Sequence, residues 1–294
     1  MRLMTCTFVV ALWQATSARA EAPPTLVAQW PIGVAGGIVV APDRSLFVAM
    51  LNLNTVKHLS PIGQVLGEWV AGNNPVGIAL DVSGEIFVTS QPSTVTVYSQ
   101  VGAVLRQWGS YADYEGLNNP IGVALDGAGN VYVASENQNV VKEYTHSGGF
   151  VRIFCQAFHA TGVAIDHHGN VYVGQFFDAS ILKCDRDGNI LATWTRCGPC
   201  VDWGSPFALA ADAEDNIYLA SLSGWVLKFS SNGDILSRWG SEGSQVVPFS
   251  GPRGIAVDVD GCVYVADENG VQKFCSAATP SRTDTWGMLK TLYR

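Results

Sequence analysis

Short apolar runs alternate with turns rich in Gly, Asn and Asp along most of this chain, and one such pattern occurs six times. The copies are GGIVVAPDRSLFV from Gly36, VGIALDVSGEIFV from Val76, IGVALDGAGNVYV from Ile121, TGVAIDHHGNVYV from Thr161, FALAADAEDNIYL from Phe207 and RGIAVDVDGCVYV from Arg253. They are anchored at Gly37, Gly77, Gly122, Gly162, Ala208 and Gly254, at successive spacings of 40, 45, 40, 46 and 46 residues. Periods of this size predict a repeat architecture.

Each copy divides into four short strands. In the third copy GVALD reads as a buried strand, the turn DGAGN follows, and VYVAS alternates like a second strand. Gly supplies positive φ in such turns, and Asp and Asn bond back to their own backbone. VVKEY then reads as a third strand, and the next copy shows a fourth in GNILATW. Four antiparallel strands in 40 to 46 residues are typical of one propeller blade, so the sequence predicts an all-β, six-bladed β-propeller.

The fourth strands predict how the ring closes. Five of them end in an aromatic residue: Trp69, Trp108, Phe154, Trp194 and Trp239. The sixth copy has no equivalent after Phe274, whereas TLVAQW (Thr25–Trp30) matches the missing strand. We therefore expect the N-terminal strand to complete the last blade, which removes an exposed sheet edge.

The last copy carries a family resemblance. GPRGIAVDVDGCVYVADENGVQKF, residues 251–274, resembles the NHL repeat, whose pattern is P-x-G-I-A-V-D-x-x-G-x-V-Y-V-A-D followed by a K-F strand. The resemblance covers about residues 25–275. It implies an NHL-type propeller, a fold that hosts many unrelated functions.

The two ends of the chain depart from the repeat. Residues 1–20 combine Arg2, an apolar stretch around Phe8–Trp13 and an Ala18-Arg19-Ala20 cleavage site, which predicts a signal peptide and a secreted or periplasmic protein. The apolar stretch is too short to span a bilayer, and we expect no membrane span. Residues 21–275 form the predicted propeller, expected to be monomeric. Residues 276–294 form a C-terminal tail.

The charge of the chain argues against one class of partner. The formal net charge is −8, and no cluster of Lys and Arg is present. Because nucleic-acid affinity depends on basic contacts with phosphate, we expect no nucleic acid as partner. A protein, a peptide or a glycan is expected instead.

Six cysteines follow the signal peptide. Cys262 and Cys275 bracket a predicted hairpin that places them opposite one another, so we predict a disulfide between them. Cys197 and Cys200 form a CGPC motif, predicted to hold a disulfide within its loop or to Cys155, with a redox motif as the alternative. Cys184 takes the place of an aromatic residue in a third strand, and we expect it to be buried.

Strand direction places the long connections between blades on one face, where binding residues tend to lie. The candidate ligand-binding residues on this face are Tyr111, Tyr114, Trp203, Arg253 and His159. Aromatic residues in variable loops are candidate anchors for a partner or a sugar, and Arg253 is placed to hold an anion. The alternatives are that the aromatic residues cover the core and that Arg253 is an ordinary repeat residue.

The residues allow two kinds of metal site. Cys155, His159, Cys197 and Cys200 fall on one face of neighbouring blades, and four such ligands suit zinc, with disulfides and a surface histidine as the alternative. A calcium ion held by channel carbonyls would leave no trace in the sequence. The repeated Asp81, Asp126, Asp166, Asp212 and Asp258 are predicted to cap their own turns.

These observations predict a function without catalysis. We expect an exported binding scaffold that engages a protein, peptide or glycan through its long-loop face. The alternative is a metal-assisted lyase or hydrolase with its site at the mouth of the central channel. Peptidyl-hydroxyglycine lyases resemble this chain in fold, but their zinc needs several histidines, and only His159 falls at this mouth. No cofactor is expected in the first case, and a calcium or zinc ion in the second.

Overall fold

The computed structural model describes residues 20–111, 114–195, 203–240 and 249–276. These residues form six four-stranded antiparallel sheets, each built from strands that follow one another along the chain except in the last sheet. The predicted signal peptide, the CGPC motif and the C-terminal tail lie outside the described residues, apart from Ala20 and Ser276. No helix in the described part is long and apolar enough to cross a membrane.

The sheets are the six predicted blades, numbered here in chain order. Blade 1 contains β2 (Ala35–Val40), β3 (Leu46–Met50), β4 (Thr55–Leu59) and β5 (Val65–Val70). Blade 2 contains β6 (Pro75–Leu80), β7 (Ile86–Ser90), β8 (Thr94–Tyr98) and β9 (Val104–Trp108). Blade 3 contains β10 (Pro120–Leu125), β11 (Val131–Ser135), β12 (Val140–Tyr144) and β13 (Phe150–Gln156), with a short 3₁₀ helix at Glu136–Gln138.

The remaining blades follow the same order of strands. Blade 4 contains β14 (Ala160–Ile165), β15 (Val171–Gln175), β16 (Ser180–Cys184) and β17 (Ile190–Thr195). Blade 5 contains β18 (Pro206–Ala211), β19 (Ile217–Ser221), β20 (Trp225–Phe229) and β21 (Ile235–Gly240). Blade 6 contains β22 (Gly254–Val257), β23 (Val263–Asp267), β24 (Gly270–Cys275) and β1 (Thr25–Trp30).

The ring closes as the sequence predicts. β1 pairs antiparallel with β24, so that Thr25 lies opposite Cys275 and Trp30 lies opposite Val271. The N-terminal strand is thus the outer strand of blade 6. The predicted disulfide between Cys262 and Cys275 is present, with Cα atoms 4.3 Å apart, and it joins β24 to the residue that precedes β23.

The repeated anchor glycines allow the inner strands of neighbouring blades to approach closely. A Cβ atom on Gly77 would lie 2.2 Å from the carbonyl oxygen of Ile121, and one on Gly254 would lie 2.2 Å from that of Gly36. No side chain fits at such distances, because close-packed interiors leave no space for an added methyl group. The anchor glycines therefore set how tightly the six blades meet around the axis.

Apolar packing between blades explains the repeated aromatic residues. The Trp69 ring on β5 lies 6.3 Å from that of Tyr98 on the next blade, and Gly102 in the following turn lies against the indole. The strands β3, β7, β11, β15, β19 and β23 are buried throughout. The core thus lies within and between the blades, and the two ends of the ring remain open to carry a site.

Candidate functional site at the loop face

Strand direction gives the ring two different faces. The loop face carries the connections between blades and those between the second and third strands of each blade. The turn face carries the tight turns between the first and second strands and between the third and fourth. The central channel that joins the two faces encloses only about 50 Å³, room for few water molecules. A ligand of any size must therefore bind at an end of the channel.

The loop-face end opens into a cavity of about 590 Å³, a volume suited to a small molecule or a short segment of a larger one. We call this cavity the mouth. Its polar lining residues are Asn52, Asn74, Gln91, Asn119, Glu136, Arg253 and Glu268. Apolar side chains complete its wall: Val34, Leu51, Val76, Ile121 and Phe207. Amide groups both donate and accept hydrogen bonds, so this lining suits a ligand rich in hydroxyl or amide groups.

A repeated backbone conformation places several of these side chains. Asn74, Asn119 and His159 each stand three residues before the anchor glycine of their blade, and each has a φ between 45° and 54°. Asparagine is among the few residues that tolerate this left-handed conformation. In blades 2, 3 and 4 the chain therefore turns into the inner strand with a polar side chain at this position.

Glu136 joins two blades at this rim. Asn119 Nδ2 donates a hydrogen bond to Glu136 Oε2, and His159 Nδ1 lies 3.5 Å from Glu136 Oε1. The carboxylate is partly buried, as is the imidazole. A carboxylate that faces an imidazole at a cavity wall can bind a polar ligand, and the same pair can transfer protons. Sequence analysis predicted His159 and missed Glu136, because the contact joins residues of different repeats.

Arg253 also lies at the mouth, as predicted. Its Nη2 lies 3.6 Å from Glu268 Oε1, and its Nη1 donates to the carbonyl oxygen of Gly251 at 3.2 Å. Glu268 therefore offsets part of the positive charge. An anionic group bound here would have to share the guanidinium with this carboxylate.

Exposed aromatic rings flank the histidine. The rings of Phe158 and Phe177 lie 4.7 Å and 4.5 Å from that of His159, both in edge-to-face geometry. Phe158 is 48% exposed and Phe177 is 62% exposed. Large apolar side chains that gather at a surface beside a polar cavity mark interaction sites. In the sequence, the Phe176-Phe177 pair after β15 indicates this apolar surface, because the other copies have mostly polar residues at these positions.

The predicted aromatic anchors fall into different environments. Tyr111 is 64% exposed, and Tyr114 is also exposed, with its ring 6.0 Å from that of Phe150. Neither lines the mouth. Trp203 is only 3% exposed, because its ring packs against Phe229 and its indole N–H donates to the carbonyl oxygen of Ala179 at 2.9 Å. The expectation of a surface anchor at Trp203 is therefore corrected: its side chain covers the core.

The predicted zinc ligands do not meet among the described residues. Cys155 is buried in the apolar cluster between blades 3 and 4, which also contains Cys184, fully buried as predicted. Hydrogen bonding to Cys184 and burial raise the pKa of the Cys155 thiol, which disfavours the thiolate that a metal needs. His159 faces Glu136 instead. Cys197 and Cys200 lie outside the described residues, so a zinc site with all four ligands stays a prediction.

The repeated aspartates cap their turns, as predicted. Asp126 Oδ1 accepts the N–H groups of Ala128 and Asn130, both at 2.9 Å. Asp81, Asp166, Asp212 and Asp258 each accept the equivalent N–H group four residues on. Four of the five also accept a hydrogen bond from the hydroxyl group of a tyrosine on the second strand: Tyr132, Tyr172, Tyr218 and Tyr264. These carboxylates stabilise the fold and lie on the face opposite the mouth.

Solved structures of known proteins share this architecture. A gluconolactonase from Xanthomonas campestris is similar with a TM-score of 0.69 at 16% identity, over 88% of this chain and 96% of its own. Streptogramin B lyase gives a TM-score of 0.63 at 12% identity, over 85% of this chain and 95% of its own. Virginiamycin B lyase from Staphylococcus aureus gives 0.62 at 12% identity, over 86% and 98%.

These neighbours are six-bladed propeller proteins, and so is this chain. Identities this low show a shared fold and nothing about activity. No protein-family model matches the chain, and no curated protein sequence matches it.

Proposed function

We propose that this protein is an exported propeller of NHL-type repeats that binds a glycan at the loop-face mouth without transforming it. The observation that carries the proposal is a polar cavity whose lining residue Glu136 contacts His159, an imidazole that is flanked by two exposed phenyl rings. A sugar ring has polar edges and two less polar faces, so it requires both kinds of surface from a binding site.

The polar half of the site is largely set before a ligand arrives. Asn74 Nδ2 donates to Gln91 Oε1 at 2.6 Å, and Asn119 donates to Glu136. These contacts hold the side chains in place and leave other donor and acceptor positions of the amides and the carboxylate open to hydroxyl groups. Preorganised side chains reduce the entropy lost on binding.

The apolar half lies beside it. Phe158 and Phe177 approach His159 from two sides, and the histidine contacts Glu136, so the aromatic and polar halves meet at one imidazole. A saccharide seated in the mouth would extend over these rings. Exposed aromatic side chains beside a desolvated cavity dominate binding energies at many interfaces.

Export is part of the proposal. The Cys262–Cys275 disulfide supports it, because disulfides persist in oxidising compartments such as the periplasm and the extracellular space. The predicted signal peptide of residues 1–20 points the same way.

The proposal is tested by glycan-array screening of the protein without residues 1–20, followed by calorimetry with the best ligand. The double variant Phe158→Ala/Phe177→Ala should weaken binding by about 10-fold or more, since each truncated anchor costs about 1 kcal/mol or more. The matched control is Tyr111→Ala/Tyr114→Ala, which removes two exposed aromatic rings of the same face outside the mouth. Loss of binding in the control alone would place the site at the loop between blades 2 and 3. Equal losses in both variants would contradict a site confined to the mouth.

A second candidate function is a metal-assisted lyase or hydrolase at the same mouth. The observation that favours it is the contact of Glu136 with His159, supported by neighbours described as lyases and a gluconolactonase. Glu136, Glu268 and the amide oxygens of the mouth supply the oxygen ligands that calcium or magnesium prefers. When bound, such an ion would polarise a carbonyl group or stabilise an enolate oxygen. The imidazole of His159, which contacts Glu136, would then serve as the general acid or base.

This candidate is tested by turnover of lactones and of virginiamycin B, as the names of the similar structures suggest, with and without a chelator. Glu136→Gln should abolish any turnover, and chelation should do the same if an ion takes part. Saturable binding of a glycan without turnover, unchanged by chelation, would favour the scaffold.

A further inference from the structure

Two sets of metal-ligating side chains lie at blade junctions on the turn face, opposite the mouth. Asp81, Glu85 and His146 meet between blades 2 and 3. Asp166, His168 and Asp215 meet between blades 4 and 5. In each set the ligand atoms lie within 4.8 Å of one another. The two sets differ in how their negative charge is balanced.

The first set already holds a cation. Arg106 Nη2 forms an ion pair with Glu85 and lies 3.2 Å from His146 Nδ1, while His146 Nε2 lies 2.9 Å from Asp81 Oδ2. The guanidinium thus occupies the position that a metal ion would take. This junction is complete without a ligand.

In the second set the neighbouring Arg186 donates through Nε to the main-chain carbonyl oxygen of His168. On blades 5 and 6 a third-strand lysine balances the turn aspartate: Lys228 Nζ lies 3.9 Å from Asp212, and Lys273 Nζ lies 3.8 Å from Asp258. On blade 4 the equivalent Lys183 donates to the carbonyl oxygen of Ser231 instead. Among the described residues, no lysine or arginine forms an ion pair with either carboxylate of this set.

One substitution within the repeat creates the set. Asp215 stands where the turns of blades 2, 3, 4 and 6 have glycine, and it adopts the left-handed φ of 62° that such a turn requires. Its side chain is directed towards the preceding blade, blade 4, where Oδ2 lies 2.8 Å from His168 Nδ1 and Oδ1 accepts the N–H group of His167 at 2.8 Å. A second carboxylate is thereby added to the Asp166 turn.

We propose that Asp166, His168 and Asp215 bind a divalent first-row transition metal ion of the zinc class. Two carboxylates neutralise a divalent charge, and an imidazole selects zinc-like ions over calcium. Asp166 is 5% exposed and both its oxygens accept hydrogen bonds, so a metal ion would use their remaining lone pairs.

The surroundings suit such an ion. Asn170 Nδ2 and the Tyr172 hydroxyl group donate to Asp166 Oδ2 at 2.7 and 3.0 Å, the kind of support that orients ligating carboxylates. Zinc ligands about 2.1 Å from the ion lie about 3.4 Å from one another, so the 2.8 Å contact of His168 with Asp215 must open and any wider separation in the set must close. His168 can supply this movement because its side chain is 75% exposed. An open depression of about 790 Å³ beside Asp166 admits a water ligand.

The test is calorimetric titration of the chelator-stripped protein with zinc chloride at neutral pH. One zinc ion per chain is expected. Asp215→Gly should lower the affinity at least about 10-fold. The variant restores the glycine of the repeat at a left-handed position, so its melting temperature should not fall. His168→Gln should lower the affinity similarly, whereas His159→Gln on the loop face should not.

The cysteines provide the decisive control. Cys197→Ser/Cys200→Ser should bind zinc like the wild type, and a cobalt-loaded sample should lack a sulfur-to-metal charge-transfer band. Zinc binding that persists unchanged in Asp215→Gly, that is lost in the cysteine variant, or that is absent from the wild type would overturn the proposal.

Discussion

The turn face and the loop face of this propeller are built on different principles. On the turn face, Asp126 and its equivalents accept the same hydrogen bonds from their own turns in blade after blade. On the loop face, Glu136 contacts Asn119 of its own blade and His159 of the next, a contact specific to that junction among the described residues. The turn contacts recur with the repeat, whereas this polar contact between blades does not. Substitutions on the turn face should therefore cost stability, and substitutions at the mouth should cost binding.

The largest effect is expected in the channel that both faces share. Gly77→Ala would place a Cβ atom 2.2 Å from the Ile121 carbonyl oxygen and 2.8 Å from Thr89 Oγ1, so blades 2 and 3 would have to separate. We expect a loss of about 3 kcal/mol or more in the free energy of unfolding, measured by denaturant titration. The control is Gly67→Ala, where no atom lies within 4 Å of the added methyl group. Similar stability of both variants would contradict the close approach of the inner strands.

The next effect tests the turn face directly. Asp212 accepts the Asn216 N–H group at 2.8 Å and the Tyr218 hydroxyl group at 3.1 Å, and it lies near Lys228. Asp212→Ala leaves these buried groups without an acceptor, which should cost about 2 to 4 kcal/mol of unfolding free energy. Asp187→Ala, an exposed carboxylate on the same face, should change it by less than about 0.5 kcal/mol. Equal effects would mean that turn position, and not the buried network, decides stability.

A smaller effect should depend on pH. Burial acts to raise the pKa of Asp81, but hydrogen bonds from His146, from Ser83 and from the N–H group of Glu85 outweigh it, and the pKa is lowered overall. A carboxyl group with a lowered pKa in the folded state stabilises the fold above its unfolded pKa of about 3.9. This stabilisation is lost as the pH falls through the folded value.

Asp81→Asn should therefore be less stable than the wild type at neutral pH by roughly 1 kcal/mol, a modest figure because the group is partly exposed. The difference should disappear as the pH falls through the lowered pKa of Asp81 in the folded state, where the wild-type carboxyl group also becomes protonated. Melting temperatures measured across the acid range would show the two curves converge. If the two curves stayed parallel down to the lowest pH, the charge of Asp81 would not be the cause of the difference in stability.

The sequence alone predicted the features that depend on contacts within one repeat. The strands, the turn aspartates, the closing strand at Thr25–Trp30 and the Cys262–Cys275 disulfide all follow from contacts between neighbours in one hairpin or from the matched ends of the chain. The sequence pattern repeats because these local hydrogen bonds and packing contacts repeat. The repeat also gave the positions of Arg253 and His159 at the loop face.

The side-chain contacts that join particular residues of neighbouring blades could not be predicted from the repeat. Glu136 reads as an ordinary loop residue until His159 of the following blade is placed beside it. Trp203 reads as a surface anchor until its ring is placed against that of Phe229. Asp215 is visible in the sequence as a glycine replaced by a carboxylate, yet its neighbour His168 comes from a different blade. Their roles depend on the angle and separation of adjacent blades, which the repeat pattern does not contain.

The smallest effect on stability should come from the mouth. Glu136→Gln keeps the shape of the side chain and an acceptor for Asn119, and the group borders open solvent. We expect a change of less than about 0.5 kcal/mol in unfolding free energy, with reduced binding or turnover at the mouth. Denaturant titration and calorimetry on the same preparation separate the two quantities. A loss of stability comparable to that of Asp212→Ala would instead show that Glu136 stabilises the junction of blades 3 and 4. The mouth would then contribute to stability as the turn face does, and the difference between the two faces would not hold.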